Sequence, residues 1–233
     1  MIKNKNMDLK EHTRFNEIAQ TAIILAGGKS SRMGFDKQFL EINNRRILDV
    51  LCDKLKEEFR EIIIVTNKPE FYKGMSYRVV CDEIKESGPL GGIHIGLKTS
   101  SSKFSYFIAC DMPNINLNYI RAMKKNIIEL NKDACITKRK NGNIEPFNAF
   151  YSKSIIEHIE KQLLDNKRAI KYLIDTINAV YIDEEYAEKF NSTLDMFVNL
   201  NTKEDVSSYA KAHERIRLVY KWRKWWRIHM DEI

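Results

Sequence analysis

Apolar positions along the chain follow two rhythms. Apolar-rich segments of strand length fall near residues 22–26, 61–66, 77–81, 104–109 and 133–138, and between them apolar residues recur every three or four positions near 46–59, 90–99 and 117–130. Runs such as Glu61-Ile62-Ile63-Ile64-Val65-Thr66 predict strands covered on both faces, and the longer period predicts the helices that cover them. Their alternation predicts an α/β fold of three layers around a mostly parallel, doubly wound sheet. Ligands of such sheets bind beyond the carboxyl ends of the strands, so the loops after residues 26, 66, 81 and 109 should share one rim.

The second half is more mixed. Asn141-Gly142-Asn143 predicts a turn, residues 147–151 a short strand, and 152–164 and 168–176 helices that complete the same sheet. No repeat or low-complexity linker divides the chain. The expected organisation is a polar extension at 1–20, a single domain at 21–210 and a basic, Trp-rich segment at 211–233.

At 233 residues with 43% hydrophobic and 30% charged residues, the chain has the composition of a folded, soluble protein. It contains no apolar run near the roughly 18–20 residues of a spanning helix, and its first residues lack the hydrophobic centre of a signal peptide, so a cytoplasmic location is expected. Cys52, Cys81, Cys110 and Cys135 stand far apart and read as reduced thiols rather than zinc ligands or a disulfide frame. The net charge of +7 suggests nucleic acid until it is divided along the chain. Residues 211–233 carry seven Lys/Arg against three acids, and 1–20 add +1, which leaves only +2 for 21–210. That balance excludes a duplex-binding face on charge alone.

Candidate chemistry begins where the first strand breaks into Leu25-Ala26-Gly27-Gly28-Lys29-Ser30-Ser31-Arg32-Met33-Gly34-Phe35-Asp36-Lys37. Paired glycines let backbone N–H groups approach an anion, and Arg32 and Lys37 add charge, which is the layout of a phosphate cradle. The spacing is neither G-x-G-x-x-G nor a P-loop. Seven of the nine glycines lie in 27–34 and 88–96, and both segments are candidate ligand loops. Asp111 follows a buried strand, where a carboxylate can hold Mg²⁺ together with substrate phosphates, or can cap the next helix or turn. Asp82 follows a neighbouring strand, either as a turn residue or as an acceptor for a base or ribose. His94, inside a predicted helix, reads as a packing or surface residue. Arg168 suits a solvated helix start, and Asn201 an N-cap for a helix beginning near Lys203.

In this order, LAGGKSSRMGFDK, GPLGGI, ACDMP, IEPFNAFY, the Lys167-Arg168 pair and FVNLNT resemble the molybdenum cofactor guanylyltransferase family over about residues 21–210. The resemblance implies a nucleotide-diphospho-sugar transferase-like fold with a Rossmann-like nucleotide-binding half. It also implies Mg²⁺-dependent transfer of GMP from GTP to molybdopterin, with release of pyrophosphate. Leu25, Ala26, Gly27 and Gly28 would line the nucleotide, and Lys37 and Arg32 would act on its phosphates. Asp82 would contact the guanosine, and Asp111 would ligate the metal and face GTP. Glu145, Asn148, Arg168, Asn199 and Asn201 would face the molybdopterin. The family often carries asparagine where this chain has Val65, and Asn67 is a candidate substitute. The LAGG start favours guanine over cytosine, whose related enzymes tend to read LAAG; a cytidylyltransferase or another small-molecule nucleotidyltransferase is the alternative enzyme, and a molybdenum cofactor carrier the non-enzymatic one. Molybdoenzyme apoproteins or cofactor-synthesis proteins are the expected partners, without nucleic acid, and a monomer is expected.

Residues 213–230 extend past the usual end of that family. As a helix they would place Leu218, Val219, Trp222, Trp225, Trp226 and His229 on one face and Arg217, Lys221, Lys224 and Arg227 mostly on the other. The favoured reading has the tryptophans cover an apolar patch of the same domain, ahead of an anionic membrane, a partner enzyme or single-stranded nucleic acid.

Overall fold

The structure, a computed structural model, describes residues 18–27, 37–42, 45–84 and 87–212. The side chains of Lys37, Ile42, Ala210 and Ala212 lie outside that description. So do Gly28 and Arg32, most of the extension at 1–20 and nearly all of 211–233.

The strands are β1 (Thr21–Leu25), β2 (Glu41–Ile42), β3 (Arg45–Arg46), β4 (Glu61–Val65), β5 (Arg78–Val80), β6 (Phe104–Ala109), β7 (Ala134–Lys138), β8 (Ile144–Ser152) and β9 (Ala179–Asp183). The helices are α1 (Ile47–Leu55), α2 (Pro89–Thr99), α3 (Leu117–Leu130), α4 (Ile156–Leu164), α5 (Ile170–Ile174), α6 (Glu184–Glu188) and α7 (Lys203–Ala212). Among the described residues, seven strands form one sheet in the order β5-β4-β1-β6-β8-β7-β9, and β2 pairs with β3 in a separate hairpin. Only β8 runs against the others in the large sheet.

Side chains alternate across the sheet with period two. Ile23, Ile63, Phe107, Ala149 and Tyr151 pack on one face with α2 and α4. Ile24, Ile64, Tyr106, Ile108 and Phe150 pack on the other with α1 and α3. Both faces are therefore covered, which explains the continuous apolar runs in β1, β4 and β6. Every residue of α2 from Leu90 to Leu97 is buried. Gly96 lets it lie flat on the sheet: a Cβ there would stand 2.9 Å from Ile23 Cγ2 and 3.0 Å from Phe107 Cε1.

Three differences from the sequence reading have physical causes. The strand β9 is absent from that reading because an edge strand covered on one side interleaves Tyr181, which is exposed, with buried Ile182 and carries no continuous run. The strand β8 starts at Ile144 rather than 147, through half-buried Glu145 and Pro146; the register with β7 is irregular there, where a proline cannot donate. The cap of α7 is Thr202 rather than Asn201: Thr202 Oγ1 accepts from Asp205 N at 3.0 Å, and Asp205 Oδ2 accepts from Thr202 N at 2.8 Å. Near the N-terminus, Ala19 is fully buried and Gln20 N donates to Ser102 Oγ at 2.9 Å, so residues 19 and 20 already belong to the domain body.

Candidate active site

The parallel ladder continues past the strand ends and sets the heights of the rim loops. Ala26 N donates to Val65 O at 2.8 Å, Thr66 N to Val80 O at 2.9 Å, and Cys110 N to Leu25 O at 3.0 Å. Leu25 is half-buried, Ala26 buried and Gly27 exposed at the end of β1. Lys37 opens a short 3-10 turn, Lys37–Phe39. That turn is anchored by buried Gln38, whose Oε1 accepts from Tyr72 OH at 2.8 Å and Thr66 Oγ1 at 3.2 Å.

Asp82, after β5, is half-buried. Burial pushes its carboxyl up from the ordinary aspartate range, while a hydrogen bond from the Asn67 side chain and the charge of His94 pull the other way. Asn67 also borders the cradle, with its Nδ2 3.6 Å from where a Cβ on Gly27 would stand. The first turn of α2 closes this corner. Gly88, at φ 61°, adopts a conformation that favours glycine and leads Pro89 into the helix. A Cβ on Gly91 would lie 1.8 Å from Ser87 Oγ and 3.3 Å from Asp82 Cγ, and one on Gly92 would lie 3.0 Å from Leu25 Cδ2. A side chain on Gly91 would therefore clash beside Asp82, and one on Gly92 would press tightly on Leu25.

Asp111 follows β6 through a tight turn in which Met112 N donates to Ala109 O at 3.1 Å. It is 7% exposed. It does not cap the next helix: Asn116 does, its Oδ1 accepting from Tyr119 N at 3.0 Å. The donor chemistry suits Mg²⁺, a hard cation that takes one or two carboxylates and completes its shell with phosphate oxygens and water. No three His, Cys, Asp or Glu side chains gather among the described residues.

Because β8 runs in reverse, its start lies on the same rim, and Asn148 stands opposite Ile108. The structure gives Asn148 an internal role. It is 2% exposed, its Oδ1 accepts from Tyr106 OH at 2.8 Å, and its Nδ2 donates to Met196 O at 3.2 Å. Glu145 is held by Arg139, whose Nη1 donates to Glu145 Oε1 at 3.1 Å and whose Nε donates to Glu184 Oε2 at 2.9 Å. Burial pushes the Glu145 carboxyl up, and Arg139 partly offsets this. The same guanidinium lies over the Phe197 ring, 5.4 Å from its centroid. Asn199 is half-buried, with Nδ2 donating to Phe197 O at 3.2 Å, and Asn201 is exposed. Leu200 N donates to Asp111 O at 2.9 Å. Asp111, Asn148, Glu145 and Asn199 thus converge on the segment 196–200. Arg168 is exposed and lies apart, in the loop between α4 and α5 on the other face of the sheet.

Gln38, Ser87 and Arg139 escaped the sequence reading. Each looks like an ordinary surface residue in its local context, and only long-range partners give it a role.

On this rim glycines pack flush against one acid, and a second, buried acid stands three strands along the sheet, an arrangement that suits a nucleotidyltransferase. The sequence matches the MobA-like NTP transferase domain over residues 22–180, and the chain belongs to that family. A protein of Peptoclostridium acidaminophilum named "Probable molybdenum cofactor guanylyltransferase" is 50% identical over 196 residues, covering 82% of this chain and 88% of that one. The molybdenum cofactor guanylyltransferase of Syntrophotalea carbinolica is 47% identical over 191 residues, covering 82% and 90%. The crystal structure of molybdopterin-guanine dinucleotide biosynthesis protein A from Archaeoglobus fulgidus superposes with a TM-score of 0.74 at 24% identity, covering 83% of this chain and 98% of that one, and shares the fold. Among the described residues no helix is long and apolar enough to cross a membrane.

Proposed function

We propose that this chain transfers GMP from GTP to molybdopterin and releases pyrophosphate. The carrying observation is the placement of two acids on one rim. Asp82 follows β5 and Asp111 follows β6, with β4 and β1 between them. At about 4.8 Å per strand the two lie on the order of 14 Å apart, the reach of an extended nucleotide from its base toward its phosphates. Asp82, with Asn67 beside it, would take the guanosine, and Leu25, Ala26, Gly27 and Gly28 the sugar and phosphates. Lys37 and Arg32 would bind phosphate oxygens.

In the proposed reaction a terminal phosphate oxygen of molybdopterin attacks the α-phosphorus of GTP. The bond from that phosphorus to the bridging oxygen breaks, and its electron pair leaves with pyrophosphate. A phosphate monoester already carries roughly −1.5 to −2 charge near neutrality, so no general base is needed. The task of the protein is alignment and charge neutralisation. Asp111 would hold Mg²⁺, which when bound supplies positive charge at the phosphates. Asn199 and Asn201 on one side of the sheet, and Arg168 in the loop on its other side, would orient molybdopterin, while Asn148 and Glu145 would act through the backbone and ion pairs they fix. A cytoplasmic setting, where GTP is available, belongs to the same proposal.

The test is to incubate the protein with metal-loaded molybdopterin, Mg²⁺ and GTP, CTP or ATP in separate reactions and to measure pyrophosphate. Release with GTP in excess of the others is expected. Turnover with CTP but not GTP would assign the chain to cytidylyl transfer instead.

A further inference from the structure

His94 lies on α2 one turn beyond Gly91 and is 2% exposed. Its Nε2 is 2.9 Å from Glu160 Oε1 on α4. An ionised carboxylate only accepts, so this bond places a proton on Nε2. That Nδ1 is buried and has no hydrogen-bond partner. An apolar residue would fill the space without burying an unpartnered ring nitrogen, so packing alone does not account for a histidine.

The two helices joined by this bond serve different parts of the rim. The first turn of α2 abuts Asp82 through Gly91 and Gly92. On α4, two residues beyond Glu160, buried Gln162 donates from Nε2 to the carbonyls of Lys167 at 2.9 Å and Ala169 at 3.0 Å. Those carbonyls flank Arg168. The other charged groups around the ring are Asp82 and Glu83, which feel its charge, and Lys98, which pairs with Glu83 at 2.5 Å and feels Glu160.

We propose that His94 and Glu160 are a positioning pair that holds the Asp82 corner and the Arg168 loop in register, so that the two substrates meet in line. This rests on the assignment of Asp82 to GTP and Arg168 to molybdopterin. Neither member of the pair touches a reacting atom. The path runs from Asp82, against Gly91 at the start of α2, along that helix to His94, across the bond to Glu160, and along α4 to Gln162, which holds the backbone on either side of Arg168.

The test compares pyrophosphate release and GTP affinity for wild type, His94→Leu, Glu160→Ala, His94→Gln, Arg168→Ala and the double variant His94→Leu/Arg168→Ala. Loss of register should lower kcat roughly 10-fold in His94→Leu and Glu160→Ala, with the GTP dissociation constant within about 2-fold of wild type. In His94→Gln the side-chain amide reaches the place of Nε2 and should restore most of kcat. In the Arg168→Ala background, His94→Leu should cost little more, because the two act in series. A folded His94→Leu or Glu160→Ala with unchanged kcat overturns the proposal, as does full additivity with Arg168→Ala or a His94→Gln as slow as His94→Leu. Glu160 is 48% exposed, so Glu160→Ala keeps the test open if His94→Leu fails to fold. Wild type that turns over CTP instead of GTP overturns the guanylyl assignment alone, and the same ranking of variants is then read with CTP.

Discussion

The backbone carbonyl of Asp111 accepts a hydrogen bond from the N–H of Leu200 at 2.9 Å. One bond thus ties the acid at the end of β6 to a segment far along the chain. Asn148 fastens the same segment at Met196 O, and Arg139 covers it at Phe197. The proposed metal ligand and part of the proposed molybdopterin side are therefore tied to one piece of backbone, so side-chain changes can be chosen that alter the chemistry while leaving that frame in place.

Asp111→Asn is such a change. It keeps the carbonyl that Leu200 uses and replaces the carboxylate, the proposed metal ligand, by an amide. Pyrophosphate release should fall by at least roughly 100-fold. Circular dichroism and melting temperature should stay close to wild type. Near-normal turnover at saturating Mg²⁺ would remove the metal assignment.

Arg139→Met addresses the frame instead. It leaves Glu145 and Glu184 near one another without the cation that bridges them, and stability at neutral pH should drop by about 1–2 kcal/mol, less than for a fully buried pair because Arg139 is partly exposed. Burial already raises the Glu145 pKa, and losing Arg139 raises it further. A carboxyl raised in the folded state opposes folding only when ionised, so the deficit is present above the folded pKa and fades as pH falls through it. Thermal melts of both proteins at neutral pH and at about pH 4 should show the gap narrowing in acid.

The sheet was legible because β1, β4 and β6 are covered on both faces and so read as unbroken apolar runs. The Asp82 corner was legible as a candidate ligand loop because close packing there favours glycine, and Gly91 and Gly92 stand out beside Gly88 and Pro89. The far side was much less so. Asn148 reads as a ligand-facing polar residue from its motif, yet it is committed to Tyr106 and Met196, partners that only the antiparallel placement of β8 supplies. Arg139 sits in a Lys-Arg-Lys run before a turn, which locally resembles solvated charge. His94 gives no local signal of Glu160, because α2 and α4 meet only after the sheet is assembled.

Two glycines in α2 should separate binding from stability. In Gly91→Ala the new Cβ would fall 1.8 Å from Ser87 Oγ, forcing Ser87 from its 2.6 Å bond to Ile84 O and crowding Asp82. The expected result is a KM for GTP raised roughly 10-fold with kcat less affected. In Gly96→Ala the Cβ meets Ile23 and Phe107 in the core, far from Asp82, and should cost about 1–3 kcal/mol of stability without changing KM. Steady-state kinetics and chemical denaturation on both variants check the split.

The pH dependence of nucleotide affinity follows from the environment of Asp82. If its carboxylate accepts from guanine N–H donors, binding requires the ionised form. Burial raises its pKa above the unperturbed value of about 3.9, so protonation sets in at higher pH than for an ordinary aspartate. GTP affinity should be full above the folded pKa and lost as pH falls through it. Folding should respond in the opposite sense: ionised Asp82 opposes the folded state, and that opposition is relieved on acidification. Asn67→Ala removes a hydrogen bond that favours the carboxylate and should move the acid limb of the affinity curve to higher pH. Asp82→Asn should abolish the limb and leave weak binding at every pH. Fluorescent GTP titrations from about pH 4 to neutrality, beside thermal melts, measure both slopes, and a limb that survives in Asp82→Asn would assign the titration to another group.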